Sequence, residues 1–198
     1  MQKYKPRLLV IAGPNGSGKT SITSQILKHE WVKDCVYINP DNIAQEEFGN
    51  WNSPEAVMKA AKIATERREH CIENKLSLVF ETVLSATDKI DFLNRAKKAG
   101  YFIRLFFVGT DHPSINASRI AYRVLEGGHD VPISKIISRY TKSISNCCVA
   151  ANLADRLYIY DNSEDYTEAK LLFRTVDGKI EKIYHKTNNW ALPILNSL

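Results

Sequence analysis

The sequence predicts an α/β fold, a three-layer sandwich in which a parallel sheet of about five strands carries helices on both faces. Two patterns lead there. Short apolar runs alternate along the 198 residues with longer segments of helical period, as expected for strands joined by crossover helices. At the junction of the first run and the first helical segment lies "AGPNGSGKT", Ala12 to Thr20, a glycine-rich turn that opens directly into a helix.

The runs "RLLVIA", "CVYIN", "LSLVFE", "YFIRLFFV" and "RLYIYD" read as the five strands. Between the first two, Lys19 to about His29 is expected to be helical. "SPEAVMKAAKIATERREHCIENK" predicts a long helix with Ser53 as N-cap and Pro54 at the first helical position. Its small and apolar residues Ala56, Ala60, Ile63, Ala64 and Cys71 would face the sheet. "SATDKIDFLNRAKKAG" offers a capping box of Ser85 with Asp88 and a stop at Gly100. After "RLYIYD" the pattern changes, since "LLFRTVDGKIEKIYHK" places two apolar stretches around Asp177-Gly178, the signal of a small C-terminal hairpin at a sheet edge. The length suits a single domain over 1–198.

Composition narrows the function classes. Hydrophobic residues make up 44% and charged residues 25%, ordinary for a globular domain, and no run is long enough for a membrane span. The basic residues and apolar run at the N-terminus read as a strand rather than a signal peptide, because the run flows into the glycine-rich loop. Four cysteines at Cys35, Cys71, Cys147 and Cys148 have neither metal-knuckle spacing nor a disulfide pattern, which fits a cytoplasmic chain. The net charge of +5 favours anionic ligands, with phosphates explaining it as well as nucleic acid.

Gly13 to Thr20 satisfies G-x-x-x-x-G-K-[ST], in which backbone N–H groups and a helix N-terminus wrap a polyphosphate. The expected contacts are Gly13, Pro14, Asn15, Gly16, Ser17, Gly18, Lys19, Thr20 and Ser21. Lys19 would reach the β- and γ-phosphates of ATP, and the Thr20 hydroxyl would ligate Mg²⁺. In an open parallel sheet the ligand lies beyond the carboxyl ends of the strands, where Asp41, Glu81 and Asp111 fall. A kinase needs one carboxylate to deprotonate the acceptor and another to position it or the metal's water shell. Asp41 fits the first role and Glu81 the second, with helix capping as the alternative for each; for Asp111 capping is the preferred reading.

From Ser118 to Tyr140, "SRIAYRVLEGGHDVPISKIISRY" places Arg119 and Arg123 one helical turn apart, then a glycine pair, then a helix starting near Pro132. The following helix has an apolar face of Ile133, Ile136, Ile137, Tyr140 and Ile144. Lys135, Arg139 and Lys142 lie on another face. The stretch from about 112 to 150 therefore reads as a helical lid whose Arg123 and Arg139 neutralise phosphate charge. Arg119 suits the lid or a solvated helix surface equally. His129, in the glycine corner, would either contact a phosphate or end a turn.

Taken together, "AGPNGSGKT", "INPDNIA", "FETVLS", "GYFIRLFFVG", "RVLEGGHDVP", "SRY" and "NLADRLYIYDNS" resemble the zeta toxin family and its bacterial relatives often labelled predicted ABC-type ATPases. The resemblance runs to about Ser163. It implies a P-loop NTPase fold of the kinase type and ATP-dependent phosphorylation of the 3′-hydroxyl of the amino sugar in UDP-N-acetylglucosamine. It also implies that Lys19 and Thr20 bind ATP and Mg²⁺, that Asp41 is the acceptor's base, that Glu81 and Thr82 touch the acceptor, and that Arg123 and Arg139 face the transferring phosphate. The lid "EGGHDVP" is typical of the relatives rather than of the best-known toxins. No S-G-G-Q signature accompanies the loop, so the ABC mechanism is set aside.

The leading expectation is a kinase with a nucleotide-sugar substrate and an antitoxin on a separate chain, acting away from membranes. A nucleic-acid end kinase would use the same loop, but no basic aromatic platform for stacking bases is apparent. An NTP-dependent switch is the third reading, and it has no need of Asp41 as a base.

Overall fold

The computed structural model describes residues 5–49, 53–128 and 130–198. Its sheet has seven strands: β1 (Arg7–Ala12), β2 (Val36–Ile38), β3 (Leu78–Thr82), β4 (Phe102–Gly109), β5 (Arg156–Asp161), β6 (Lys170–Val176) and β7 (Lys179–Ile183). The spatial order is β2-β3-β1-β4-β5-β6-β7. The first five strands are parallel, as the alternation of runs and helices predicts. The last two are antiparallel and extend the same sheet beyond β5. Asp177 and Gly178 both take positive φ, 49° and 73°, the conformation that turns a chain through two residues without splaying the strands.

The helices are α1 (Lys19–Ile26), α2 (Pro40–Phe48), α3 (Pro54–Glu73), α4 (Asp88–Lys98), α5 (Pro113–Leu125), α6 (Ile133–Ala151) and the short α7 (Leu192–Leu195). Alternation along β1 sends Leu8, Val10 and Ala12 to one face and Leu9 and Ile11 to the other, and both sets are fully buried. The first face packs against α2, α3, α4, α6 and α7. The second is covered by α1 and a 3-10 turn at Glu30–Val32, whose Trp31 lies beside Phe106 and Tyr158. The sandwich therefore has outer layers of unequal thickness.

Several boundaries differ from the sequence expectation for identifiable reasons. Helix α1 ends at Ile26 rather than His29, because the His29 ring accepts a bond from Trp31 N–H and starts the 3-10 turn. The Ser85–Asp88 capping box does not form. Leu84 takes φ 58° and turns the chain, so α4 opens at Asp88, whose carboxylate pairs with Lys89. Ser53 and Pro54 begin α3 as expected, but Ile63 is only partly buried and Arg68 takes a place in the buried stripe at 4% exposure. The Arg68 guanidinium lies 5.3 Å from the Phe80 ring and bonds the Thr65 hydroxyl. On α6, Ile136 and Tyr140 are buried while Ile133 and Ile137 are exposed. This end of the helix packs against α5 through Ile136 and Ile120, with Val131 beside them, and its buried stripe moves to Ser143, Cys147 and Ala150 farther on. His112, not Asp111, caps α5, and the Asp111 carboxylate accepts a bond from Asn188.

Candidate active site

The loop from Gly13 to Gly18 joins β1 to α1 at the carboxyl edge of the parallel strands. Gly16 and Gly18 take φ 76° and 89°, a region that side chains disfavour. The loop is also clasped from outside. A Cβ on Gly13 would lie 2.2 Å from the Val108 carbonyl oxygen, one on Gly16 2.6 Å from the Asn116 carbonyl oxygen, and one on Gly18 2.1 Å from Asn162 Nδ2. Asn116, fully buried on α5, donates to the Asn15 carbonyl at 2.6 Å and accepts from the Thr110 hydroxyl at 2.5 Å. Asn162, just after β5, donates to the Ser17 carbonyl at 2.9 Å. Two asparagines thus fix the loop's shape from either side.

Lys19 donates to the Gly13 and Pro14 carbonyls, each at 2.9 Å. Enclosure of its ammonium by the loop lowers its pKa to about 8, against the opposing pull of Glu81 and then Asp41, with Arg123 adding repulsion. The Ser17 hydroxyl is buried with no hydrogen-bond partner, a donor left over in a loop shaped for phosphate oxygens. Thr20 stands exposed in the first turn of α1, where its hydroxyl is available to a cation held by the phosphates. Among the described residues no cluster of acidic, histidine or cysteine side chains forms a metal cage. The exposed Thr20 hydroxyl is the side chain that would hold a phosphate-bound Mg²⁺.

Asp41 lies in the first turn of α2. The capping role belongs to Asn39, whose side-chain oxygen accepts from Asp41 N–H at 2.9 Å. The Asp41 carboxylate is left exposed at the positive end of the helix. The Asn39 amide donates to Glu81 Oε1 at 3.2 Å and to the Tyr37 hydroxyl at 3.1 Å, and that hydroxyl donates to Glu81 Oε1 at 2.7 Å. Burial, with the Glu81 and Asp41 charges adding to it, pushes the Tyr37 phenol well above its ordinary value, against the Asn39 hydrogen bond. Tyr37 and Asn39 also belong to the site, although neither is a carboxylate. Tyr37 lies on β2 and Asn39, still extended, is the residue after it, so their spacing of two was the available signal that both point to one face.

Thr82 ends β3 with its carbonyl bonded to Gly13 N–H at 3.2 Å and its hydroxyl bonded to Leu84 N–H at 3.0 Å. Arg139 reaches the loop at Asn15 Oδ1, 3.4 Å away. Arg123 closes α5, and its stem fills the space above Gly128, where a Cβ would approach Arg123 Cγ to 2.5 Å. Arg119 stands on the β5 flank, bonded to the Asn162 carbonyl and paired with Asp165 at 2.6 Å. There it borders a cavity of about 360 Å³ with Gly18, Ser21, Gln25 and Asn162. His129 lies outside the described residues.

A parallel sheet in this order, with a G-x-x-x-x-G-K-T loop at its centre and carboxylates and arginines gathered over it, defines a P-loop kinase. The sequence model of the zeta toxin family matches residues 1–170, and the chain belongs to that family. An uncharacterised protein of Haemophilus influenzae is 28% identical over 134 residues, which are 68% of this chain and 92% of that protein. The PezAT chromosomal toxin-antitoxin structure from Streptococcus pneumoniae superposes with a TM-score of 0.61 at 18% identity, covering 99% of this chain and 85% of that one. A structure of AvrRxo1-ORF1:-ORF2 with ATP gives 0.66 at 19% identity, covering 90% of this chain. The chain spans only 61% of that larger protein. No helix among the described residues is long and apolar enough to cross a membrane.

Proposed function

We propose that this chain is an ATP- and Mg²⁺-dependent kinase that transfers the γ-phosphate to a sugar hydroxyl of UDP-N-acetylglucosamine. The observation that carries the proposal is that Glu81, Asp41 and Arg123 all act on the charge of Lys19, which bonds the Gly13 and Pro14 carbonyls of the loop. A nucleotide switch needs the loop and the lysine. It has no use for an exposed carboxylate beside them, or for a second carboxylate held by Tyr37 and Asn39.

In this reading the cavity beside Arg119 and Gln25 receives the base, and loop N–H groups with the Ser17 hydroxyl hold the phosphates. Lys19 gives up its bonds to Gly13 and Pro14 and turns to the β- and γ-phosphates. Thr20, with the phosphates, would hold Mg²⁺, which would supply charge neutralisation at the transferring group. Asp41 accepts the proton of the acceptor hydroxyl as that oxygen attacks phosphorus, and the bond to the leaving diphosphate breaks. Glu81 and Thr82 orient the acceptor, and Arg123 and Arg139 balance the charge spread over the transferring oxygens. The family and its toxin-antitoxin setting further support an antitoxin on a separate chain as a partner.

Mass spectrometry of UDP-N-acetylglucosamine incubated with Mg-ATP and the protein tests the proposal. The expected result is a gain of one phosphoryl group, absent with Lys19→Ala and Asp41→Asn. ATP bound by the wild type with no gain overturns the acceptor. ATP hydrolysis indifferent to Asp41→Asn overturns the kinase in favour of a switch.

A further inference from the structure

Resting on that kinase reading, we propose that a second cavity, between the segment after β3 and the middle of α6, holds the anionic remainder of the acceptor, a sugar-linked phosphate or diphosphate, through Lys142. One cavity, lined by Gly18 and Ser21, borders the phosphate loop itself. With Arg119, it belongs to the β5 flank. The other, about 490 Å³, lies between the segment after β3 and the middle of α6, and is lined by Ser85, Thr87, Thr141, Lys142, Ser145 and Asn146. Asp41 and Glu81 sit toward β2 and β3, so an acceptor presenting its hydroxyl to them extends to the β3 side.

Spacing supports the same assignment. Thr82 touches the loop through Gly13, and Ser85 follows it by three residues. Arg139 touches the loop at Asn15, and Lys142 lies roughly 4.5 Å farther along the α6 axis, with Ser145 about 9 Å along. That is the reach of a sugar and the phosphate attached to it. The chemistry of the wall is specific as well. Hydroxyls and an amide suit a sugar, the single charge is an ammonium, and no carboxylate lines the cavity to compete for it.

The wall is also built in advance. Leu84 is buried at φ 58°, an uncommon state for such a residue. Ser143 holds the loop by donating to the Val83 carbonyl at 2.6 Å, and Asn146 by donating to the Leu84 carbonyl at 2.9 Å. Both anchors come from α6, the helix that carries Lys142 and Arg139, so the acceptor wall and the phosphate-facing arginine share one rigid element.

The test is isothermal titration of UDP-N-acetylglucosamine into the protein saturated with a non-hydrolysable ATP analogue and Mg²⁺. Lys142→Met is compared with Lys98→Met, an exposed position on α4 with the same change of charge. The expected result is a Kd about tenfold weaker or worse in Lys142→Met, wild-type affinity in Lys98→Met, and unchanged affinity for the ATP analogue in both. Thr87→Val is expected to weaken acceptor binding about threefold. Equal acceptor affinity in Lys142→Met and Lys98→Met overturns the assignment, as does no binding by the wild type. Phosphoryl transfer, followed separately, keeps the two readings apart. Transfer with an unchanged acceptor Kd in Lys142→Met sinks the cavity and leaves the kinase. Lys142-dependent binding without transfer sinks the kinase and leaves the cavity.

Discussion

At the scale of single residues, Lys19 combines a cost to the fold with a benefit to the ligand. Its pKa of about 8 lies below the ordinary 10.5, so between those values the unfolded chain binds more protons than the folded one. Stability of the nucleotide-free protein should therefore rise with pH across that window. Nucleotide affinity should move the other way, because a neutral amine cannot hold phosphate. Titration of an ATP analogue from pH 6.5 to 9.5 should show Kd constant below about 7.5 and rising toward tenfold per pH unit above about 8. A flat profile would mean that the ammonium is not what binds. Lys19→Met should abolish binding and raise the melting temperature of the free protein, since it removes a charge the loop encloses.

Asn39 allows a second test at this scale, because one side chain does two tasks. Its oxygen caps α2 and its amide nitrogen holds Glu81. Asn39→Asp keeps the cap and places a carboxylate against Glu81, so thermal stability should stay near wild type while kcat/KM falls about tenfold or more. Asn39→Ala should instead cost about 1 kcal/mol of stability through the lost cap. If both variants lose stability equally and activity equally, Asn39 is only a cap.

At the scale of elements, the corner between α5 and α6 shows two neighbouring glycines with different duties. Gly127 takes φ 83° with open space around it, while Gly128 donates to the Arg123 carbonyl at 2.9 Å and lies under the Arg123 stem. Gly127→Asn should cost well under 1 kcal/mol, since asparagine tolerates the left-handed state. Gly128→Ala must displace Arg123, so kcat should fall about tenfold or more while the Kd for ATP changes less than twofold. Steady-state kinetics beside direct ATP binding separate these effects. An unchanged kcat in Gly128→Ala would remove Arg123 from the transfer step.

The elements also show what the sequence could reveal. Strand β1 was legible to the residue because a buried parallel strand is a continuous apolar run, β5 because Leu157 and Ile159 alternate with half-buried tyrosines, and α3 because Ser53-Pro54 is an explicit start. The Ser85–Asp88 box failed because a local capping pattern was overridden by tertiary anchoring of Val83 by Ser143 and of Leu84 by Asn146, about 60 residues away. Long-range hydrogen bonds leave no periodicity to read. For the same reason Asn116 and Asn162, which shape the phosphate loop from positions 101 and 145 residues distant, could not be distinguished from surface asparagines. The glycines of the loop could be read, since their task is local; the groups that make those glycines obligatory could not.

At the scale of the whole molecule, the last residues are tied to the site although the family match ends at residue 170. Trp190 lies against Gly109, where a Cβ would fall 2.3 Å from its ring, and its indole N–H donates to Asp161 Oδ1 at 2.8 Å. Asp161 is itself buried and also accepts from the Ser163 hydroxyl at 2.7 Å. The next residue along is Asn162, which holds Ser17. A run of contacts thus leads from the C-terminal segment through the ends of β4 and β5 to the phosphate loop. Trp190→Phe keeps most of the buried ring but removes a donor from a buried carboxylate, which should cost about 2 kcal/mol. Trp190→Ala adds a cavity and should cost about 3–5 kcal/mol. If the run positions the loop, Trp190→Phe should also weaken ATP binding severalfold at temperatures where the protein remains folded, and Asp161→Asn with Trp190→Phe should weaken it no further. Urea denaturation with ATP titration on the same samples measures both quantities. Lost stability with unchanged ATP affinity would make Trp190 a core residue alone and end the chain of contacts at Asp161.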